Sequence, residues 1–292
     1  MFVNGCDCSI VIKTSHIEKD IPFSAETLRE AVSIMKEEVP IEGDGVCRGI
    51  RQCCGVMGCV VTPLTIETTP LLLYLAMGSA GIPLYVSETR NLFKYDLNLL
   101  TMEDTKQFEL IQDRKNERRL FEGCRVKSFE LRILRGETIK LKLNIFGECA
   151  PKNYSPRSQT SEMSGTRERG ERFSGDFVSY MINGKEYKNI YGLTLQSKKV
   201  GGTKTELWIK RALQKGGDIP DLIEELTITA QLLRDTYELR QYGTFRITLK
   251  RLVLISDETE VNATGAVISP LRFYVVGGTQ AEVFTSTGEL IQ

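Results

Sequence analysis

LFEGCRVKSFELRILRGETIKLKLNIFGE, residues 120–148, is the stretch whose reading decides the fold. Phe129, Leu131 and Ile133 alternate with Ser128, Glu130 and Arg132. After Arg135-Gly136-Glu137, the residues Ile139, Leu141, Leu143 and Ile145 alternate with Lys140, Lys142 and Asn144. Alternation with period two on both sides of a glycine turn marks a β-hairpin with one buried face and one wet face. The apolar residues are odd-numbered in both arms, so one shared face requires an odd-length loop, such as residues 135–137. Gly136 supplies the positive φ of such a turn. This register sets Glu130 opposite Lys142 as a surface ion pair. It also sets Arg132 opposite Lys140, a repulsive pair unless a carboxylate lies close.

Moving outward, the totals bound the class. The 292 residues suffice for one large β domain or two smaller ones, and 41% hydrophobic residues support a real core. Thirty-eight basic residues balance 38 acidic ones, which argues against nucleic-acid binding as the main activity while leaving a local basic patch open. Met1 to Cys6 has no basic, then long apolar, leader pattern, and the richest apolar run, Pro70 to Met77, is too short to span a bilayer. A soluble cytoplasmic product without a membrane role is expected. Eight cysteines are present, but Cys47, Cys53, Cys54 and Cys59 lack paired C-x-x-C spacing. They read as free thiols rather than zinc ligands. No metal or other cofactor is expected.

The rest of the chain is β-rich. Residues 1–20 look extended around Ile10 and Ile12, and Val46 to Ile66 is a glycine-interrupted strand whose glycines suggest bulges or close backbone approach. Ser24 to Glu38 fits both a helix, with Thr27 and Glu30 as a capping box, and a strand; propensity alone favours helix. Glu42 to Gly45 reads as a turn. Pro70 to Gly78 is a short core helix, with proline at its start and glycine at its end. Asn91 to Leu99 is a strand, Asp113 to Arg119 a charged surface loop, and Pro151 to Ser174 a long polar loop or insertion in a single domain of residues 1–292. Later strands are Ile190 to Leu195, Leu222 to Leu233, Gly243 to Ile255, Asn262 to Val276 and Glu282 to Thr285; Thr205 to Lys215 is ambiguous. The two halves echo each other weakly, too weakly to read as a repeat.

Little points to catalysis. His16 is the single histidine, and no nucleophile elbow, Walker motif or strand-borne dinucleotide fingerprint is present. Trp208, the one tryptophan, reads as a core or interface residue. The chain is not expected to be an enzyme.

Phe121, Gly123-Cys124-Arg125-Val126, Ser128, Leu131, Ile133, Gly136 and Gly147 resemble the middle segment of bacteriophage tail tube proteins, the major tail subunits of long-tailed phages. The likeness extends to Gly55 to Ile66 with Leu71 to Gly78, to Ile190 to Leu195, to Leu226 to Leu232, and to Thr264 to Tyr274. It favours strand over helix at Ser24 to Glu38. The resemblance implies a mainly β, tail-tube-type sandwich or barrel with a flanking short helix and long loops. It implies six copies in a ring and rings stacked into a hollow tube that delivers DNA. The implied setting is the virion tail, assembled in the host cytoplasm, with tape-measure, tail-terminator and distal tail proteins as partners and only transient, non-specific DNA contact. Alternatives are the inner tube of a contractile tail or injection machine, and a soluble β-sandwich module for carbohydrate or a host surface. The candidate assembly residues are Glu130, Arg132, Lys140 and Lys142, with Arg125. Their surplus positive charge suits a neighbouring subunit or solvent better than the channel wall.

Overall fold

The computed structural model describes residues 8–39, 46–80, 82–87, 92–114, 117–147, 152–153, 171–212, 218–235, 240–258, 260–261 and 267–286. The first half contains β1 (Cys8–Lys13), β2 (Glu18–Asp20), β3 (Ala25–Glu26), β4 (Arg29–Val39) and β5 (Val46–Pro63). After helix α1 (Thr69–Met77) come β6 (Gly78–Ala80), β7 (Leu84–Ser87), β8 (Leu92–Leu99), β9 (Phe108–Arg114), β10 (Glu117–Leu134), β11 (Lys140–Gly147) and β12 (Lys152–Asn153). The second half contains β13 (Val178–Ile182), β14 (Lys185–Glu186), β15 (Ile190–Lys198), β16 (Lys204–Ala212), β17 (Leu222–Asp235), β18 (Arg240–Asp257), β19 (Glu260–Val261), β20 (Val267–Val275) and β21 (Thr279–Thr285). The fold is mainly β with one short helix, as the alternation predicts.

The hairpin follows its parity. Glu130 pairs with Lys142 and Arg132 with Lys140 across β10 and β11, and Gly136 turns the chain at φ 80. Phe129, Leu131, Ile133, Ile139, Leu141, Leu143 and Ile145 are all buried. Each such side chain contributes about 1.5–3 kcal/mol of apolar burial. Just upstream, Cys124 and Val126 are buried at even-numbered positions. A bulge between Val126 and Ser128 absorbs the change of parity and leaves Lys127 exposed.

β4 confirms the strand reading of Ser24 to Glu38. Its ladder to β5 runs from Arg29 opposite Met57 to Val39 opposite Val46. Pairing to a long partner outweighs the helical propensity of the segment. A side chain at Gly58 would collide with the backbone of Thr27, so the close approach expected of these glycines is present. The turn at residues 42–45 lies outside the described residues.

One reading is corrected. Of the stretch Asp113 to Arg119, the described residues are strand and not loop: Arg114 pairs with Glu117 and Asp113 with Arg118, so β9 and β10 form a hairpin. The charges that suggested a loop tie neighbouring strands together. Arg114 bonds both carboxylate oxygens of Glu26 at 3.0–3.1 Å, and Arg119 reaches Glu117 and Glu30. Of the polar stretch Pro151 to Ser174, residues 151 and 154–170 lie outside the described residues. Its two ends are integrated: β12 adds to β10, Arg172 and Ser174 bridge to Thr65 and Thr138, and Phe173 is buried against Phe245.

The strands form two layers. One is an arc in the order β4 (with β3)–β5–β11–β10–β15–β16–β20–β18 (with β19). No pairing between described residues joins its two ends, so the described strands form an open arc. The other layer holds β2–β1–β9 on the leading half of β10, and β14–β13–β17 on the leading half of β18, which β21 and β8 continue. β10 and β18 therefore pass from one layer to the other. α1 packs against β6, β8, β10 and β21, and all nine of its residues are buried. A helix buried on every side has no polar stripe to show, which explains its uniformly apolar body.

The pairings also contain a tandem repeat that the sequence echo was too weak to establish. In β10 and β11, Cys124 pairs with Gly147, Val126 with Ile145, and Ser128 with Asn144. A shift of 128 residues turns these into Leu252 with Val275, Leu254 with Phe273, and Ser256 with Arg272, the pairs made by β18 and β20. The slip between Val126 and Ser128 recurs between Leu254 and Ser256. The same shift carries Arg119 with Asn153 onto Ile247 with Ala281, so β12 is the short counterpart of β21. The β1–β2 hairpin on β9 matches the β13–β14 hairpin on β17. The arc is thus one four-strand order used twice: β4–β5–β11–β10, then β15–β16–β20–β18. Helix α1 and β6–β8 lie between β5 and β9, where the second repeat has only residues 213–221 between β16 and β17.

Candidate assembly surfaces

The apolar side of the arc faces the second layer and the helix. Its other side is one polar face. A single row crosses it from strand to strand: Val61, Lys142, Glu130, Gln196, Glu206, Tyr274, Val253 and Leu222 are successive register partners. The adjoining row is Pro63, Lys140, Arg132, Thr194, Trp208 and Arg272.

Four of the five candidate residues lie on this face and in these two rows. Glu130 and Lys142 face each other in register, but among the described residues they make no ion pair within 4.0 Å. Arg132 and Lys140 also sit opposite, and Glu137 supplies the relieving carboxylate, 3.7 Å from Arg132. Arg125 does a different job. Its guanidinium donates to the carbonyls of Met102 and Glu103 at 3.2 and 3.1 Å and clamps the turn between β8 and β9.

Neighbouring strands enlarge the charged set beyond what the hairpin alone revealed. On β10, β11, β15, β16 and β20 the polar face carries Lys140, Lys142, Arg132, Lys198, Lys204, Lys210 and Arg272 against Glu130 and Glu206. Seven cations against two anions make this face basic within a chain of zero net charge. Lys198 lies directly opposite Lys204, a second like-charge pair. Arg272 stacks 5.3 Å from the Trp208 ring centroid and bonds Glu206 at 2.8 Å, so the tryptophan face is occupied from within the chain.

Among the described residues both ends of the arc are open: β3 and β4 pair only with β5, and β19 pairs only with β20. Beyond Ala31, β4 and β5 continue as a two-stranded ribbon, Val32 to Val39 with Val46 to Cys53, to which no third described strand is paired. Two strands alone are marginally stable in water. Sequence reasoning missed these edges because they are defined by which strands pair, not by the residues of any one strand.

Other chemistry is sparse. Among the described residues no group of three or more His, Cys, Asp or Glu is placed to hold a metal, and no helix is long and apolar enough to cross a membrane. Cys8 and Cys59 are free thiols, and Cys59 lies 3.3 Å from the Thr27 hydroxyl; Cys124 is buried, its thiol donating to the Phe121 carbonyl at 3.5 Å. No protein-family model matches the chain, and no curated protein matches it.

Proposed function

We propose that this protein is a self-assembling subunit of a hollow tube, of the kind the tail-tube resemblance implies. The observation that carries the reading is the eight-strand arc, built from two equivalent repeats with an edge at each end that no described strand pairs. Open sheet edges invite pairing with another chain, and a ring of arcs removes them. The contact uses opposite ends of the molecule, so it is head-to-tail, and head-to-tail contacts form a ring where the rotation between successive copies closes. The resemblance implies six copies in a ring; because each chain here contributes two repeats, the ring proposed for it has six repeats from three chains. Three arcs of eight strands give about 24 strands, and at roughly 4.8 Å per strand a wall about 37 Å across before strand tilt widens it.

In such a ring the second layer takes the larger circumference outside, and the bare polar face lines the channel. This replaces the expectation that Glu130, Arg132, Lys140 and Lys142 avoid the lumen. The five lysines of that face would meet passing DNA through water and be screened over about 8–10 Å at physiological salt, which keeps contact transient. The virion tail, with tape-measure, tail-terminator and distal tail proteins as partners, is the setting this role implies.

Negative-stain microscopy of the purified protein across a concentration series tests the reading. Rings or tubes with a central channel are the expected result; a monodisperse monomer at every concentration sinks it.

A further inference from the structure

The chain already contains one copy of the contact that would join two chains. At the junction of its repeats, the end of β10 pairs with β15: Ser128 with Lys198, Glu130 with Gln196, Leu134 with Gly192. The repeat relation identifies the counterparts of both partners. A shift of 128 residues maps β10 onto the end of β18 and β19. The equivalence extends through the turn: Arg132 with Lys140 becomes Glu260 with Ile268. On the other side, Gly192 opposite Lys210 corresponds to Ala25 opposite Val61, and Gln196 opposite Glu206 to Arg29 opposite Met57. So β15 is the counterpart of β3 and the start of β4. Within one chain, these two counterparts are the two open edges.

We infer that a second copy of this chain adds its β3–β4 edge to the β18–β19 edge in the register of the internal β10–β15 junction. The register is specific. Ser128 opposite Lys198 becomes Ser256 opposite Ala31 of the next copy, and Glu130 opposite Gln196 becomes Glu258 opposite Arg29. Glu258 and Arg29 are both exposed and make no ion pair among the described residues. In this register each meets its opposite charge across the new ladder. Ile255, the bulge residue beside the edge, is 49% exposed, whereas its counterpart Lys127 is a charged residue at the equivalent bulge.

The inference rests on the tube reading and names its joint. The test uses the full-length protein with benzoylphenylalanine at position 258, together with Arg29→Glu and the Arg29→Glu/Glu258→Arg swap. Irradiation of assembled protein is expected to link position 258 to a peptide within residues 25–31 of another copy. Arg29→Glu is expected to weaken association at least tenfold in sedimentation with an unchanged melting temperature, and the swap to restore it. If the wild type forms rings but the cross-link maps elsewhere, or the swap fails to restore what Arg29→Glu lost, this joint is wrong while the tube stands. If the wild type never assembles, the tube reading falls and the joint with it.

Discussion

Gly123 and Arg251 hold the same place in the two repeats. Both have left-handed backbone, φ 64 and φ 55, and both lead a long strand into a bulge, at Val126/Ser128 and Leu254/Ser256. The first repeat meets this need with glycine. The second forces an arginine into it, held by bonds from Val276 N–H to the Arg251 carbonyl and from Gly277 N–H to the Lys250 carbonyl. A side chain in this conformation costs about 1 kcal/mol or more. Arg251→Gly is therefore expected to stabilise the protein by about 0.5–1 kcal/mol, and Gly123→Ala to destabilise it by about 1 kcal/mol. Thermal denaturation of the two variants checks the pair; a lower melting temperature for Arg251→Gly would assign the arginine a packing role that outweighs its strain.

That equivalence also shows what the sequence hides. The hairpin was legible residue by residue, because alternation encodes a face and parity encodes a register. The repeat was not. Its equivalent positions read Gly123 and Arg251, Cys124 and Leu252, Lys127 and Ile255, Gly147 and Val275. What the halves share is where the backbone bends and which positions are buried, and many residue types satisfy both. The β9–β10 hairpin was hidden for a different reason. Its charged residues find partners on β3 and β4, a satisfaction that only the tertiary arrangement supplies. The candidate site was half legible: the hairpin displayed four charges, but the basic face extends over strands that begin more than 40 residues further along the sequence.

Phe173 closes the polar stretch after β12. It is 1% exposed and meets Phe245 edge-on at 5.1 Å between the layers. Phe173→Ala is expected to cost about 3–5 kcal/mol through lost burial and the cavity it leaves. Deleting residues 155–170 while keeping Phe173 is expected to leave cooperative unfolding intact. Urea denaturation of both variants separates the two effects; loss of cooperativity in the deletion would show that this stretch belongs to the core.

Lys94 on β8 and Glu282 on β21 join an element between β5 and β9 to the second repeat. Their 2.6 Å ion pair is flanked by Asp96 and Arg246. The Lys94 hydrogen bond holds the Glu282 carboxyl below the usual carboxylate range. A depressed folded-state pKa contributes stability above the ordinary carboxylate pKa and loses it as pH falls through the lowered value. With both side chains partly exposed, the coupling is expected at about 0.5–1 kcal/mol. A double-mutant cycle of Lys94→Met and Glu282→Gln at pH 7 and at pH 3 measures it. Equal coupling at both values would mean that the pair contributes by packing alone.

Lys199 is a buried cation. It is 1% exposed, lies beside Gly78 at the C-terminal cap of α1, and its ammonium has no hydrogen-bond partner among the described residues. Burial lowers its pKa from 10.5 to about 7. Between these two values the unfolded chain binds the proton and the folded chain does not. Stability therefore rises with pH across this window, and below about pH 7, where both states are protonated, the penalty is full and constant. Lys199→Met keeps the length of the side chain and removes the charge. It is expected to stabilise the protein at pH 7 by roughly 2–4 kcal/mol and to flatten the pH dependence. Urea denaturation of wild type and variant from pH 7 to 9.5 checks both parts. If the variant keeps the wild-type slope, the proton responsible lies elsewhere. If it is less stable at pH 7, the helix C-terminus gives the ammonium more than burial takes away.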